Sequence, residues 1–286
     1  MPQSINTNLI SLNAQRNLSS SQSSLAVSMQ RLSSGLRVNS AKDDAAGLAI
    51  AERMQTKVRG MNVAVRNAND AISMSQTAEG ALGKVGDMLQ RMRELAVQAA
   101  NGTNTSADRT SLNDEYLQLS REAARTLGGT QFNGQSILAT TTNSVFQVGA
   151  NTSATLDQIS VTAFDWTSVG EITTAIGAAV GTDPTTAVAG TDGSFALAAI
   201  TAIDAAIDKV NSQRGTFGAV QNRFENVVAT LQTQVENQTA ARSRIMDADY
   251  ATETANLSRA SILQQAGNAM VAQANQLPQQ VLALLR

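Results

Sequence analysis

The sequence predicts a mainly α fold: an elongated rod of long antiparallel helices forming coiled coils, with a small β-hairpin region at the distal end. Three observations carry that expectation. Apolar residues make up 42% of the 286-residue chain but aromatics only 3%, so the cores are built from small side chains that let helices pack closely. Prolines number only three, Pro2, Pro184 and Pro278, so long helices meet few hard stops. Both ends of the chain carry apolar residues at alternating steps of four and three, as a helix with one buried stripe requires.

The N-terminal arm begins that stripe with Ile5, Leu9 and Leu12 and resumes it with Leu25, Met29, Leu32 and Leu36. The intervening Ser19–Ser24 run weakens the seam without adding a turn signal. At Gly35 the arm stops, because glycine suits the left-handed residue that ends a helix. Ser40 is then expected to cap a second helix, with Asp43 three residues on; Asp43 and Asp44 also favour the positive end of the helix dipole. An active-site reading of this Asp pair is poor, since neighbours on a helix point about 100° apart.

From Asp43 to about Asn101 the stripe continues through Met54, Val58, Met61, Val65 and Ile72, then Val85, Leu89, Met92, Ala96 and Ala99. Asn101-Gly102 ends it, and Ser106 is the expected cap of a third helix with Leu112, Tyr116, Leu119 and Ala123, closed by Gly128-Gly129. The period then changes. Phe132-Asn133-Gly134 reads as a turn, Val145–Val148 as a short strand, and Ile159, Val161 and Ala163 alternate at strand spacing. Residues 166–194, rich in Thr, Gly and Ala, read as a small variable surface insert outside every helical seam, so that removing 168–192 should leave assembly intact. Helix returns with Ile200, Ile203, Ile207 and Val210, then Phe217, Phe224, Val228, Leu231 and Val235. A last helix carries Leu263, Met270, Ala274, Leu277, Val281 and Leu284.

An uninterrupted helix over 43–101 would be roughly 85 Å long, whereas a compact chain of this size would be about 50 Å across. The helix length therefore predicts a rod in which the two terminal arms pair. Two paired helices leave apolar surface uncovered, above all at the C-terminal VLALLR, and such surface marks an association face.

Composition also excludes functions. With no Cys and no His, thiol chemistry, disulfides and His- or Cys-based zinc sites are out of reach. A net charge of -2 argues against a general nucleic-acid binder. No apolar run is long enough for membrane insertion, and the N-terminal MPQSINTNLISLN is not a secretory signal, so secretion would need another route. No cofactor is expected, and an enzyme is the weakest reading.

Several long stretches, in order, resemble bacterial flagellin. They are QRLSSGLRVNSAKDDAAGLAIA (30–51), LQRMRELAVQAANGT (89–103), TQFNGQSIL (130–138), FQVGAN (146–151), ITAIDAAIDKVNSQRGTFGAVQNRFE (200–225) and the segment from MDADY (246–250) to the C-terminal arginine. The resemblance covers about 1–165 and 195–286 and leaves no room for large outer domains. It implies an inner coiled coil, D0, from 1–40 and 245–286, and an outer D1 from 41–165 and 195–244, flanking the 166–194 insert. The implied function is structural: a homopolymer of identical subunits forming the extracellular flagellar filament for swimming motility. A hook–filament junction protein of the same terminal architecture is the alternative.

The stripe residues Ile5, Leu9, Leu12, Leu25, Leu32, Leu263, Met270, Leu277, Val281 and Leu284 are the expected self-assembly set. The resemblance further implies hook-associated junction and cap proteins as partners, a cytoplasmic export chaperone on the C-terminal arm, and secretion through the flagellar type III apparatus. It also implies host flagellin receptors, with Arg91, Leu95 and Glu115 as one receptor face and the stretch containing Asp43 and Gly47 as a second recognised segment. Spacing alone leaves Leu95 equally able to face the core, beside Leu89, Met92 and Ala96.

Overall fold

A computed structural model describes residues 8–166, 168–176, 188 and 194–284, the stretch 277–284 as backbone only. Six helices and two small antiparallel hairpins follow one another among them: α1 (Leu9–Ser34), α2 (Ala45–Ala99), α3 (Ser106–Gly129), β1 (Gln131–Phe132), β2 (Gln135–Ser136), β3 (Ser144–Gln147), β4 (Gln158–Val161), α4 (Gly170–Ile176), α5 (Ser194–Met246) and α6 (Tyr250–Leu284). The mainly α class is as expected. The chain divides into two compact units, Met1–Lys57 with Glu236–Arg286, and Val58–Val235, and α2 and α5 supply residues to both.

In the first unit α1 and α6 run antiparallel. Asn8 Nδ2 donates to the Ala274 carbonyl (2.7 Å) at one end, and the Tyr250 hydroxyl donates to the Leu32 carbonyl (3.3 Å) at the other. The side chains on the seam are small or polar: Ser11 and Ser28 on α1, and Glu253, Ala260 and Ala274 on α6, are buried. Gly267 packs on Leu18, where even a Cβ would come within 3.1 Å of the leucine Cδ1, so glycine here sets how closely the two helices approach.

Most of the large stripe residues do not fill this seam. Leu263 and Met270 are 50% and 61% exposed, and Leu9 and Leu12 are exposed too; only Leu25 and Leu32 are half-buried. At about 100° per residue, Leu263 and Met270 lie some 40–60° round the helix from Gly267, on one flank of the contact. Ile5 and the side chains of Leu277, Val281 and Leu284 lie outside the described residues.

Beyond α1, Gly35 takes a left-handed conformation (φ 71°) and its N–H donates to the Arg31 carbonyl, as the sequence predicts. The strand-like residues that follow pair with the α5–α6 junction through Arg37 N to Met246 O (2.6 Å) and Ala248 N to Gly35 O (2.9 Å). Val38, Ala51 and Met246 close a small apolar cluster over this junction. The cap differs from expectation. Ser40 begins a turn whose amide and hydroxyl both donate to Asp43, and Asp44 caps α2, accepting from the Gly47 amide at 2.8 Å.

In the second unit one apolar core joins α2, α3, α5, both hairpins and α4. From α2 it takes Ala68, Ala71, Met74, Ala78, Leu82, Val85, Leu89, Met92 and Leu95. From α5 come Ala199, Ile203, Ala206, Val210, Phe217 and Phe224. Hairpin β1–β2 turns through Asn133 (φ 50°) and Gly134 (φ 77°), a pair suited to the tightest hairpin connection. Hairpin β3–β4 pairs Phe146 with Ile159, and Phe146 meets Phe224 edge-on at 5.7 Å. Helix α3 starts one residue earlier than expected, capped by Thr105 in a reciprocal box with Asp108, and it runs through Gly129 to end at Thr130.

The expected surface insert is not a surface loop in its described part. Trp166, Ile172, Ala175, Ile176 and Val188 are fully buried. The Tyr116 hydroxyl donates to the Ala175 carbonyl (3.1 Å), the Ser120 hydroxyl to Ile176 O (2.9 Å), and Val188 N to Asn113 Oδ1 (3.1 Å). The physical reason is the Ile172–Ala175–Ile176 spacing, which gives even a two-turn helix one apolar face.

Candidate functional site

Two kinds of surface meet the sequence-based expectations: an apolar one on the α1–α6 pair and a charged one on α2 and α3. The apolar surface arises because the close seam excludes large side chains. Leu9, Ile10, Leu12, Val27 and Met29 on α1, with Ile262, Leu263 and Met270 on α6, remain exposed. Leu9, Ile10, Leu18, Leu263, Gly267 and Met270 line a single groove of about 540 Å³. Nearer Tyr250 the same helix pair turns polar: Arg31 approaches the buried Glu253 at 3.9 Å, beside Ser20, Ser24 and Arg259.

On the charged surface, Arg91 Nη1 donates to Glu94 Oε2 (2.8 Å) and Arg91 Nε to Glu115 Oε1 (3.0 Å). Glu94 first, and then Glu115, raise the Arg91 pKa above its ordinary value. Arg93 pairs with Asp204 across to α5 (Nε to Oδ1, 2.6 Å), an ion pair that spacing within α2 cannot reveal. Leu95 does not belong to this surface. It is 1% exposed in the core, because it follows Met92 by three residues and falls on the buried stripe.

Asp43 and Gly47 belong to the first unit and form a separate place. Asp43 is exposed and accepts from the Ser40 amide and hydroxyl and the Asn39 amide, which hold its carboxyl below the usual range. Gly47 is buried beneath Asp44, where an added Cβ would stand 2.3 Å from the carboxylate. Sequence reading also missed Arg109. This buried guanidinium donates to the Ala99 and Asn101 carbonyls, satisfying acceptors left over where α2 ends.

Among the described residues no three His, Cys, Asp or Glu side chains gather as a metal-binding group, and no helix is long and apolar enough to cross a membrane. What the described residues present is exposed surface, apolar on the α1–α6 pair and charged on α2 and α3.

Comparison with known proteins agrees. Residues 5–143 match the family model for the bacterial flagellin N-terminal helical region, and residues 200–285 match the one for its C-terminal helical region. The chain is 47% identical over 283 residues to a flagellin of Halalkalibacterium halodurans, covering 99% of each chain. It is 43% identical to a flagellin of Bacillus subtilis, again covering 99% of both. A solved structure of a flagellar hook-associated protein from Vibrio parahaemolyticus aligns over 72% of this chain and all of its own, with TM-score 0.56. At 14% identity, that likeness shows a shared fold alone. With both family models matched in order and full-length flagellins aligned from end to end, this chain belongs to the bacterial flagellin family.

Proposed function

We propose that the exposed apolar side chains flanking the α1–α6 seam are the surface through which this flagellin polymerises with further copies of itself. A flagellin is a structural subunit of the bacterial flagellar filament, and it is not an enzyme. The observation that carries the proposal is the groove in which Leu9, Ile10, Leu263 and Met270 face solvent together. At roughly 25 cal/mol per Å² of apolar surface removed from water, covering such side chains in many identical subunits is a large driving force for assembly. The assembly set is therefore Leu9, Leu12, Leu263 and Met270 from the described residues, joined by Ile10 and Ile262.

The finer partners rest on the family. Hook-associated junction and cap proteins would meet the polymer ends. An export chaperone would cover the C-terminal arm before secretion to the cell exterior. Host flagellin receptors would read the exposed Arg91–Glu115 pair and the Asp43 turn, without Leu95.

Seeded growth tests the central claim. Leu263→Asp should leave the free chain as helical as the parent by circular dichroism while abolishing fibres in electron micrographs. Fibres of normal length and number from that variant would remove α6 from the assembly surface.

A further inference from the structure

We infer that Met29 and Met270, at different points along the α1–α6 pair, are oxidant-sensitive modification sites through which peroxides or hypohalous acids take the free subunit out of polymerisation. The inference rests on the assembly reading above for its consequence, but not for its chemistry.

The chain contains no Cys, so the thiol that most often intercepts two-electron oxidants is missing, and its single Trp is fully buried. Thioethers are then the most reactive sites, and reactivity follows access of the oxidant to sulfur. The methionines are sharply divided. Met61, Met74, Met92 and Met246 are buried, and Met54 and Met88 are half-buried. Met29 and Met270 are 56% and 61% exposed. Both stand on the α1–α6 pair, and Met270 lines the apolar groove with Ile10 and Leu263.

In the reaction with hydrogen peroxide, a sulfur lone pair attacks one peroxide oxygen. The O–O bond breaks, an S–O bond forms, and water leaves. Sulfur loses two electrons and the peroxide gains them. The product is a sulfoxide, a strong hydrogen-bond acceptor on what was an apolar side chain. In water it is solvated, so the free subunit keeps its fold. Covered by a neighbouring copy without a donor, it opposes assembly. A dithiol or a methionine sulfoxide reductase with its thiol reductant returns the thioether, with release of water and formation of a disulfide in the reductant.

The experiment uses the full chain in three arms. First, the free chain is treated with graded hydrogen peroxide and its tryptic peptides are quantified by mass spectrometry. Met29 and Met270 should oxidise about tenfold faster or more than Met61, Met74, Met92 and Met246. Equal rates across all six would overturn the site. Second, chain oxidised at both positions is seeded beside untreated chain. Fibre yield should fall about tenfold or more and return after reductase treatment. Full yield from doubly oxidised chain would overturn the switch. Third, M29L/M270L is measured against its own untreated yield, and it should lose none of that yield to oxidant. A loss as large as that of the parent would place the effect elsewhere and overturn the assignment. If untreated parent chain gave no fibres at all, the assembly reading would fall, while the peptide map on free chain would still decide the modification site.

Discussion

Along the α1–α6 contact the buried residues are Ser11, Ser28, Glu253, Ala260 and Ala274, with Gly267 against Leu18, while Leu9, Leu12, Leu263 and Met270 face solvent. Along α2, α3 and α5 of the second unit, Leu82, Leu89, Met92, Leu95, Tyr116, Leu127 and Phe224 are all buried. Both regions are written in the same four-and-three repeat, and they use it oppositely. The second unit buries most of its large side chains in its own core, although Val97, Leu156, Phe195 and Leu197 face solvent. The helix pair of the first unit meets mainly through small residues, with Leu18, Leu25 and Leu32 half-buried, and leaves Leu9, Leu12, Leu263 and Met270 outside. A repeat thus says that a helix has an apolar stripe; it does not say whether that stripe belongs to the same chain or to the next copy.

The contrast breaks if large side chains in the two regions contribute alike to the free chain. Phe224→Ala removes a ring that is fully buried and stacked edge-on with Phe146, and should cost about 3–5 kcal/mol in thermal or denaturant unfolding of the second unit. Leu263→Ala, by contrast, should stay within about 0.5 kcal/mol of the parent. Comparable losses from the two would mean that the α6 stripe is already covered within one chain.

Helix α4 sharpens the boundary of the self-sufficient core. Ile172→Ala should destabilise the second unit by about 2–5 kcal/mol, because its side chain is fully buried. Near-parental urea unfolding of that variant would restore the reading of 166–194 as a dispensable surface segment.

The helix pair should fail for a different reason, by overfilling. Gly267→Leu drives a branched side chain into Leu18 and should cost the α1–α6 contact about 1–3 kcal/mol, read as lost helicity in circular dichroism. Unchanged helicity would show that the close seam is not what holds the pair.

The smallest expected effect is at the α3 cap. The Thr105 hydroxyl and amide hold the Asp108 carboxyl below its ordinary value, so its contribution is present above the unfolded pKa of 3.8 and is lost as pH falls through the lower folded value. The melting-temperature gap between parent and Asp108→Asn should therefore be constant near neutrality and close at more acidic pH. A gap that persists below that range would assign the effect to something other than the charged carboxylate.

Much of the fold was legible because its signals are local. Gly35 ends α1, Asn133-Gly134 turns the first hairpin, and the alternation of Ile159 and Val161 marks β4. Each depends on backbone conformations or side-chain periods that a few neighbouring residues settle among themselves. Cap positions were displaced by short distances, from Ser40 to Asp44 and from Ser106 to Thr105, because several adjacent Ser, Thr and Asp residues can all serve and packing chooses among them.

By itself, then, the sequence determined the helical class, the order of elements other than α4, the absence of thiol and imidazole chemistry, and the existence of apolar stripes at both ends. Tertiary structure alone decided where those stripes go. Leu95 turned inward because α2 is packed along its full Leu89–Met92–Ala96 side, and Ile172 and Ile176 became core because α3 offers them Tyr116 and Ser120. Arg93 found Asp204, and Arg109 the carbonyls at the end of α2, across distances in sequence that no local pattern encodes. Leu263 and Met270 stayed outside because Gly267 and Ala274 let α1 come too near for them to fit between. Period is a property of one helix, whereas burial is a property of the pair it packs into.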